Sequence, residues 1–183
     1  PILCCTNRLS LDGPGTLSLV SQKGYGYLPL GQVSYCHEHK GVMPLFDPEM
    51  DLNHIWKTVR DDKDVLAAMG LTGADNLTIA KRIIKKSKYN DLASNERRLC
   101  IFYLPSRPAL NNLVTPEMIE IDCHVPDADS MTAYKVLKAV HKALHEKMVN
   151  GKQILFAGQL GELSTAPGYF CAGMRFMYYG TIS

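Results

Sequence analysis

The feature that most constrains the fold is a strict alternation of apolar and polar residues over 117–125. The apolar members are Ile119, Ile121, Cys123 and Val125, and the polar members include Glu120, Asp122 and His124. Successive side chains of a β-strand point to opposite faces, so this period of two predicts a half-buried strand. Ile121 is then expected in the core, whereas Glu120 and Asp122 are expected on a solvated or subunit-facing surface.

Helical periodicity precedes this strand. At 47–49 an aspartate, a proline and a glutamate form a helix-start signal, and apolar residues then recur at helical spacing. The run is predicted to end at Gly70, with the acidic pair Asp61-Asp62 dividing it into two helical pieces. After these two pieces, a further short helix is predicted over 76–86. Its apolar residues, all expected in the core, are Leu77, Ala80, Ile83 and Ile84.

A long amphipathic helix follows the alternating strand. It is predicted over 129–149, with Asp129 as its cap and Asn150-Gly151 as its end. His141 and His145 lie four residues apart and share a helical face, which permits metal chelation. His141 belongs to the apolar stripe, however, so we expect core packing or an interface there.

Further strands are predicted over 98–104, 153–157 and 174–182. The simplest packing is an α/β (α+β) domain, with a mainly antiparallel sheet of about four strands packed with helices. Strands 98–104 and 117–125 are expected to pair as a long hairpin. The proline-bearing connection 105–116 is too long for a tight turn and is predicted to protrude.

Residues 1–46 differ from the rest because they are rich in turn formers and poor in helical periodicity. They are predicted to form an N-terminal arm with short strands at 16–20 and 32–36. The α/β domain is predicted to span 47–183. The N-terminal residues lack the pattern of a secretory signal, and no apolar stretch approaches the roughly 18 residues that a membrane span needs.

Charge and cysteine usage narrow the possible partners. A net charge of +2 is too small to favour nucleic acid or an anionic membrane as the main partner. A local basic cluster is interpreted as a solvated helix face; it comprises Lys81, Arg82, Lys85, Lys86 and Lys88, with Arg97 and Arg98 nearby. The 6 cysteines are spread out and lack CxxC spacing, which indicates reduced thiols in a cytosolic setting.

One local cluster has the residue types of a metal site. Cys36, His37, Glu38 and His39 offer thiolate, imidazole and carboxylate ligands. Neighbours on an extended chain point to opposite faces, so only alternate members converge. A polar surface loop is therefore preferred, and no metal or other cofactor is expected.

The other chemical candidates also have simpler explanations. Cys123 and His124 should lie on opposite strand faces, so Cys123 is predicted to be a buried, inert thiol. Acid–base catalysis by Glu120 and Asp122 would need a pocket and a raised pKa, which the sequence does not reveal. The segment 158–163 lacks the third glycine of a dinucleotide fingerprint. We therefore expect a protein that is not an enzyme.

From about Asp51 onward the order of elements resembles the tail-terminator (tail-completion) proteins of long-tailed bacteriophages. The features that carry the resemblance are the acidic turn 61–66, the strand 97–103 with its proline-bearing loop, the strand 119–126 ending in proline before a long helix, and the segment 158–168 leading into the strand 175–179. Residues 1–46 have no counterpart in this pattern.

The resemblance implies a structural virion protein that forms a ring, expected to be a hexamer, at the head-proximal end of the tail. Such a ring caps the tail tube, binds neck and connector proteins, and lets DNA pass through its lumen without sequence-specific binding. Assembly would take place in the host cytoplasm, and no membrane is involved. The interface is expected in the loops 105–116 and 159–170, with Leu110, Leu113, Tyr169 and Phe170 as its apolar contacts.

Two alternatives remain open at this point. The first, in the same class of assembly proteins, is a different neck component, such as a head–tail connector or tail adaptor. A different class is a metal-dependent or thiol enzyme that uses Cys36, His37 and His39.

Overall fold

The computed structural model describes residues 6–11, 17–22, 47–93, 95–105 and 114–181. The chain divides into two compact units, Pro1–Gly41 and Val42–Ser183. In the first unit, β1 (Thr6–Leu11) and β2 (Leu17–Gln22) form an antiparallel two-stranded sheet. The strand predicted over 16–20 corresponds to β2, whereas the one predicted over 32–36 lies outside the described residues.

The second unit contains helices and strands in the order expected of an α+β domain. The helices are α1 (Pro48–Arg60), α2 (Lys63–Met69), α3 (Asn76–Arg82) and α4 (Ser130–Leu144). The strands are β3 (Ile83–Ile84), β4 (Arg98–Tyr103), β5 (Val114–Pro126), β6 (Met148–Val149), β7 (Lys152–Gln153), β8 (Leu155–Glu162) and β9 (Tyr169–Thr181). Among these described elements, no helix is long and apolar enough to cross a membrane.

Five strands form the main sheet, in the order β3-β4-β5-β9-β8. All neighbouring pairs are antiparallel except β3 and β4, which are parallel. The predicted fold class is therefore confirmed, with one strand more than expected. The predicted hairpin is also present, because β4 pairs with β5 in a register that places Leu99 opposite Cys123.

The first two helices begin and end where the sequence predicts. The Asp47 and Asp62 side chains accept backbone hydrogen bonds from Met50 and Val65, which caps α1 and α2. Gly70 ends α2 at a φ of 71°, a left-handed conformation that glycine adopts without a side-chain penalty. The acidic pair does divide the run into two helices.

The third helix is shorter than predicted, and it buries a different residue. Ile79 faces the core, while Leu77 and Ala80 are exposed. Ile83 and Ile84 leave the helix and form β3, which pairs with Leu99 and Cys100 of β4. Sheet pairing therefore overrides helical propensity at the end of this segment.

The fourth helix ends at Leu144, five residues before its predicted end. Glu146 has a φ of 60°, which a right-handed helix cannot contain. Asn150-Gly151 is instead the turn between β6 and β7. The predicted cap Asp129 makes no capping hydrogen bond; its carboxylate lies 2.9 Å from the Arg97 guanidinium.

The core lies between the helices and one face of the sheet. Ile121 of β5 has no exposed surface, which confirms the prediction for this residue. Val136 and Val140 of α4 are buried on the opposing side, together with Val59 of α1. These aliphatic side chains belong to one continuous apolar cluster. The other face of the sheet, which carries Glu120, Asp122 and His124, therefore points away from the helices.

A polar network ties α1 to the sheet inside this core. Asp51 is 2% exposed and accepts hydrogen bonds from Asn150 (2.8 Å) and Tyr178 (3.1 Å), and it pairs with Lys152. The Tyr178 hydroxyl lies 2.7 Å from the Tyr103 hydroxyl. A buried carboxylate is tolerated here because several donors and a cation replace its hydration.

Candidate functional site

The second face of the sheet is buried, contrary to the sequence prediction. Glu120 and Asp122 are each 8% exposed and His124 is 1% exposed. Segments distant in sequence cover the histidine: the Tyr89 ring stacks on His124, and Thr165 contacts the same imidazole. The alternation was identified correctly, but the assignment of its polar face to solvent or a partner subunit was wrong.

Strand register brings polar groups of three strands together on this face. His124 of β5 lies between Arg98 of β4 and Cys171 of β9. In the next layer Asp122 lies between Cys100 and Gly173. We call Asp122, His124 and Cys171 the β5–β9 cluster. Their ligand atoms all lie within 4.8 Å of one another.

The histidine of the β5–β9 cluster is held from both ring nitrogens. Its Nδ1 atom is 2.7 Å from the Thr165 hydroxyl oxygen, and its Nε2 atom is 3.8 Å from the Cys171 Sγ. The Tyr89 ring stacks on the imidazole at a centroid distance of 5.0 Å and an angle of 28°. The ring plane is therefore set by contacts from outside the strand.

The carboxylate of the cluster has an incomplete environment. Asp122 Oδ1 is buried and has no hydrogen-bond partner among the residues that the structure describes. A Cβ atom on Gly173 would lie 2.5 Å from this oxygen, so a glycine is needed opposite the carboxylate. Burial, followed by repulsion from Glu120, raises the pKa of Asp122 to about 7.

Burial also sets the protonation of the other two members. It lowers the pKa of His124 to about 4 and raises the pKa of the Cys171 thiol far above its usual range. At neutral pH both groups are thus uncharged, unlike the thiolate–imidazolium pair of a nucleophilic cysteine. What the cluster offers is one nitrogen, one sulfur and one oxygen donor, a set that suits a divalent metal.

Ion pairs surround the cluster. The Arg98 guanidinium is buried and lies 3.0 Å from Glu96, and it also pairs with Asp91. On the next layer Arg175 donates a hydrogen bond to Glu120 at 2.8 Å. Arg98 begins β4, as predicted, and its buried guanidinium is paired with the buried Glu96 and with the exposed Asp91.

The thiol predictions are confirmed for Cys123, which has no exposed surface and a pKa raised by burial. It lies on the helix-packed face, opposite to His124. Cys100, Cys123 and Cys171 are free thiols. Burial raises the pKa of Cys100 to about 11, and its Sγ donates to the Lys88 carbonyl at 3.5 Å.

The two histidines of the long helix are close together, with ring centroids 4.7 Å apart. The Phe156 backbone N–H donates to Nδ1 of His145 at 3.2 Å, and His141 packs edge-on against the Phe156 ring at 4.9 Å. His141 therefore packs with aromatic side chains, as expected. The other metal candidates, Cys36, His37, Glu38 and His39, lie outside the described residues.

Two of the four residues predicted at an interface are described, and both belong to β9 rather than to a loop. The Tyr169 hydroxyl donates to the Ala93 carbonyl. Phe170 is half-buried and packs at 5.8 Å from the Tyr134 ring. Leu110 and Leu113 lie in 106–113, outside the described residues. Half of the segment predicted as the loop 159–170 is strand, because β8 continues to Glu162 and β9 begins at Tyr169.

The outer edge of the sheet is an exposed strand. β8 pairs only with β9 in the described sheet, and two register irregularities interrupt that pairing. Phe156 of β8 is 37% exposed and Tyr179 of β9 is 47% exposed. A long edge strand with exposed aromatic side chains is a typical site for pairing with another chain.

Sequence reasoning missed Cys171, Thr165 and Gly173, which belong to the covered face of the sheet. Cys171 and Gly173 are two residues apart within β9, and this spacing was the available signal that they share a face. No local signal connected them with Asp122 and His124, because the strands meet only through tertiary pairing.

A comparison with solved structures finds a similar fold in a chain of a virion particle. A chain from the "Virion of native gene transfer agent (GTA) particle" superposes with a TM-score of 0.51 at 12% sequence identity. The match covers 72% of this chain and 94% of that chain. No family model matches the sequence. No curated protein matches it either. The chain therefore shares its fold with a component of a virion particle.

Proposed function

We propose that this protein is a structural virion protein, and that it acts as a ring-forming tail terminator rather than as an enzyme. The observation that carries the proposal is the fold shared with a chain of a gene transfer agent virion, since the match covers 94% of that chain. In this role a ring of subunits caps the tail tube at its head-proximal end. It also joins the tube to the head–neck connector, and DNA passes through its lumen.

The sheet edge supports an assembly role. A ring requires two different, mutually complementary patches on each subunit. Strand β8 supplies one such patch, because it combines an unshared strand edge with the exposed ring of Phe156. The sequence places further apolar residues, Leu110 and Leu113, in the connection between β4 and β5.

The experiment compares assembly of patch variants with a matched exposed control. Phe156→Asp, and separately Leu110→Asp with Leu113→Asp, are expected to leave the subunit folded but to prevent ring closure, because charge would be buried without a partner. Leu77→Asp is the control, because Leu77 is 65% exposed on α3, away from the β8 edge. Mass by light scattering and images of negatively stained particles report the ring and its order.

Tail morphology distinguishes a terminator from another neck component, such as a head–tail connector or tail adaptor. Particles assembled with a closure-defective variant should carry overlong tails if the ring ends tube growth. Tails of normal length that fail to join heads would instead indicate a connector or adaptor. Normal-length tails joined to heads in the absence of this protein would refute the assembly role.

A further inference from the structure

We propose that Asp122, His124 and Cys171 bind one divalent metal ion of the zinc class, with Oδ1, Nε2 and Sγ as ligands, and that this ion links β5 to β9. The proposal is independent of the tail-terminator role. It rests on the ligand set of the β5–β9 cluster, the spacing of its donor atoms, an orphaned carboxylate oxygen and the contacts that orient each ligand.

The donor spacing fits a tetrahedral ion. Zinc binds sulfur at about 2.3 Å and imidazole nitrogen at about 2.0–2.1 Å, so tetrahedral angles place these two atoms about 3.6 Å apart. The observed distance between Cys171 Sγ and His124 Nε2 is 3.8 Å, which is long for a hydrogen bond. One carboxylate oxygen, one imidazole nitrogen and the thiol sulfur lie within 4.8 Å of one another, so small side-chain rotations complete the site.

The second, independent observation is the orphaned oxygen. Asp122 is 8% exposed, yet its Oδ1 has no hydrogen-bond partner in the part of the chain that the structure describes. Buried polar atoms of native proteins are nearly always paired, with protein, water or an ion. Gly173 leaves room beside this same atom, since a Cβ there would approach it to 2.5 Å. A bound cation supplies the missing partner.

Charge balance favours a dication. When the metal binds, the Cys171 thiol releases its proton to solvent, so one thiolate and one carboxylate neutralise a +2 ion. The nearby Arg98 guanidinium does not oppose this, because it is itself paired with Glu96 at 3.0 Å and with Asp91. The fourth position of the tetrahedron is left for a water molecule.

The histidine has the outer contacts of a metal ligand. Its Nδ1 lies 2.7 Å from the Thr165 hydroxyl, so the Nδ1–H can donate while Nε2 faces the metal. The Tyr89 ring stacks on the imidazole at 5.0 Å and holds its plane. A mixed sulfur, nitrogen and oxygen set selects zinc over calcium or magnesium, which prefer oxygen ligands alone.

The test measures metal content and cobalt spectra of the full-length protein. Protein purified without chelator should contain about one zinc per chain, the occupancy of a single site. After chelation, added Co²⁺ should give thiolate-to-cobalt absorption and the visible bands of a four-coordinate ion. Cys171→Ala and Asp122→Asn should abolish both signals. Thr165→Val should weaken zinc affinity about 10–100-fold, as outer contacts of metal ligands do.

Two controls separate this site from other thiols. Cys100→Ala removes a buried thiol from the same face and should retain the metal; Cys36→Ala tests the N-terminal cluster and should retain it as well. Thermal unfolding with and without zinc shows whether each variant is folded and whether zinc stabilises it. The proposal is overturned if the wild type binds neither ion, or if Cys171→Ala keeps the cobalt spectrum; a spectrum lost in Cys36→Ala would place the metal at the N-terminal cluster instead.

Discussion

The buried ion pair between Asp51 and Lys152 provides the sharpest test of how the fold is held together. Asp51→Ala removes the carboxylate that pairs with Lys152, which is 4% exposed, and that accepts hydrogen bonds from Asn150 and Tyr178. The substitution leaves the Lys152 ammonium buried but removes the carboxylate whose attraction offsets the cost of that burial. The free energy of unfolding should therefore fall by about 3–5 kcal/mol.

Replacing both partners should cost much less than the single change. In Asp51→Leu with Lys152→Met neither charge of this pair is left, and such exchanges are often neutral or stabilising. A double-mutant cycle of Asp51→Leu, Lys152→Met and the double variant should therefore give a coupling energy of about 2–3 kcal/mol, within the range for directly contacting residues. The physical reason is that the Asp51 carboxylate offsets the desolvation cost of the Lys152 ammonium, and Asp51→Leu alone removes that offset.

Urea titration at pH 7 measures these values, provided that the slope against urea is unchanged between variants. The matched control is Asp61→Ala, because the exposed Asp61 carboxylate pairs with Arg60 at 4.0 Å, and such a solvated pair should contribute less than about 1 kcal/mol. Raising the salt concentration should leave the coupling of the buried pair nearly constant. A cost for Asp51→Ala as small as that of the control, or additive single and double variants, would refute the reasoning.

Three further predictions concern the rest of the fold. In metal-free protein, the pKa of Asp122 raised to about 7 lowers stability as pH rises from about 4 to 7, while the pKa of His124 lowered to about 4 increases stability as pH rises from about 4 to 6.5. The two trends oppose each other in the wild type. In Asp122→Asn only the histidine trend remains, so the free energy of unfolding should rise by about 3 kcal/mol between pH 4 and 6.5. A flat profile in urea titrations of this variant would contradict the lowered pKa of His124. Ile121→Ala should cost about 2–5 kcal/mol through its cavity and Ile121→Val about 0.5–1.5 kcal/mol, with equal costs arguing against a packed core at this position. Deleting residues 1–46 should leave a cooperative thermal transition, whereas a product without one would show that these residues belong to the core.

The local elements were largely predictable because their signals are local. Capping aspartates at Asp47 and Asp62 and a left-handed glycine at Gly70 act within one helical turn, so the boundaries of α1 and α2 follow from neighbouring residues. The period of two identified β5 and placed Ile121 in the core for the same reason. Errors occurred where a helical pattern competed with pairing partners distant in sequence, as at Ile83 and in the segment after Leu144.

The sequence predicted only two members of the β5–β9 cluster, Asp122 and His124, to lie close together. Asp122 and His124 share a strand face by their spacing, but nothing local indicates that β9 brings Cys171 beside them, or that Tyr89 and Thr165 cover them. The polar face was therefore assigned to solvent or a partner. The same applies to Asp51, whose burial depends on a lysine 101 residues away in the chain.

The sequence by itself determined the order and type of the main elements, since hydrogen bonding, capping and side-chain periodicity are decided within a few residues. Only the tertiary structure decided which faces are buried, because burial depends on which distant segments pack over a strand. A polar side chain is equally compatible with solvent and with a well-paired interior. The choice between them is made by the contacts of the folded chain, and these contacts place Asp122, His124 and Cys171 together under cover.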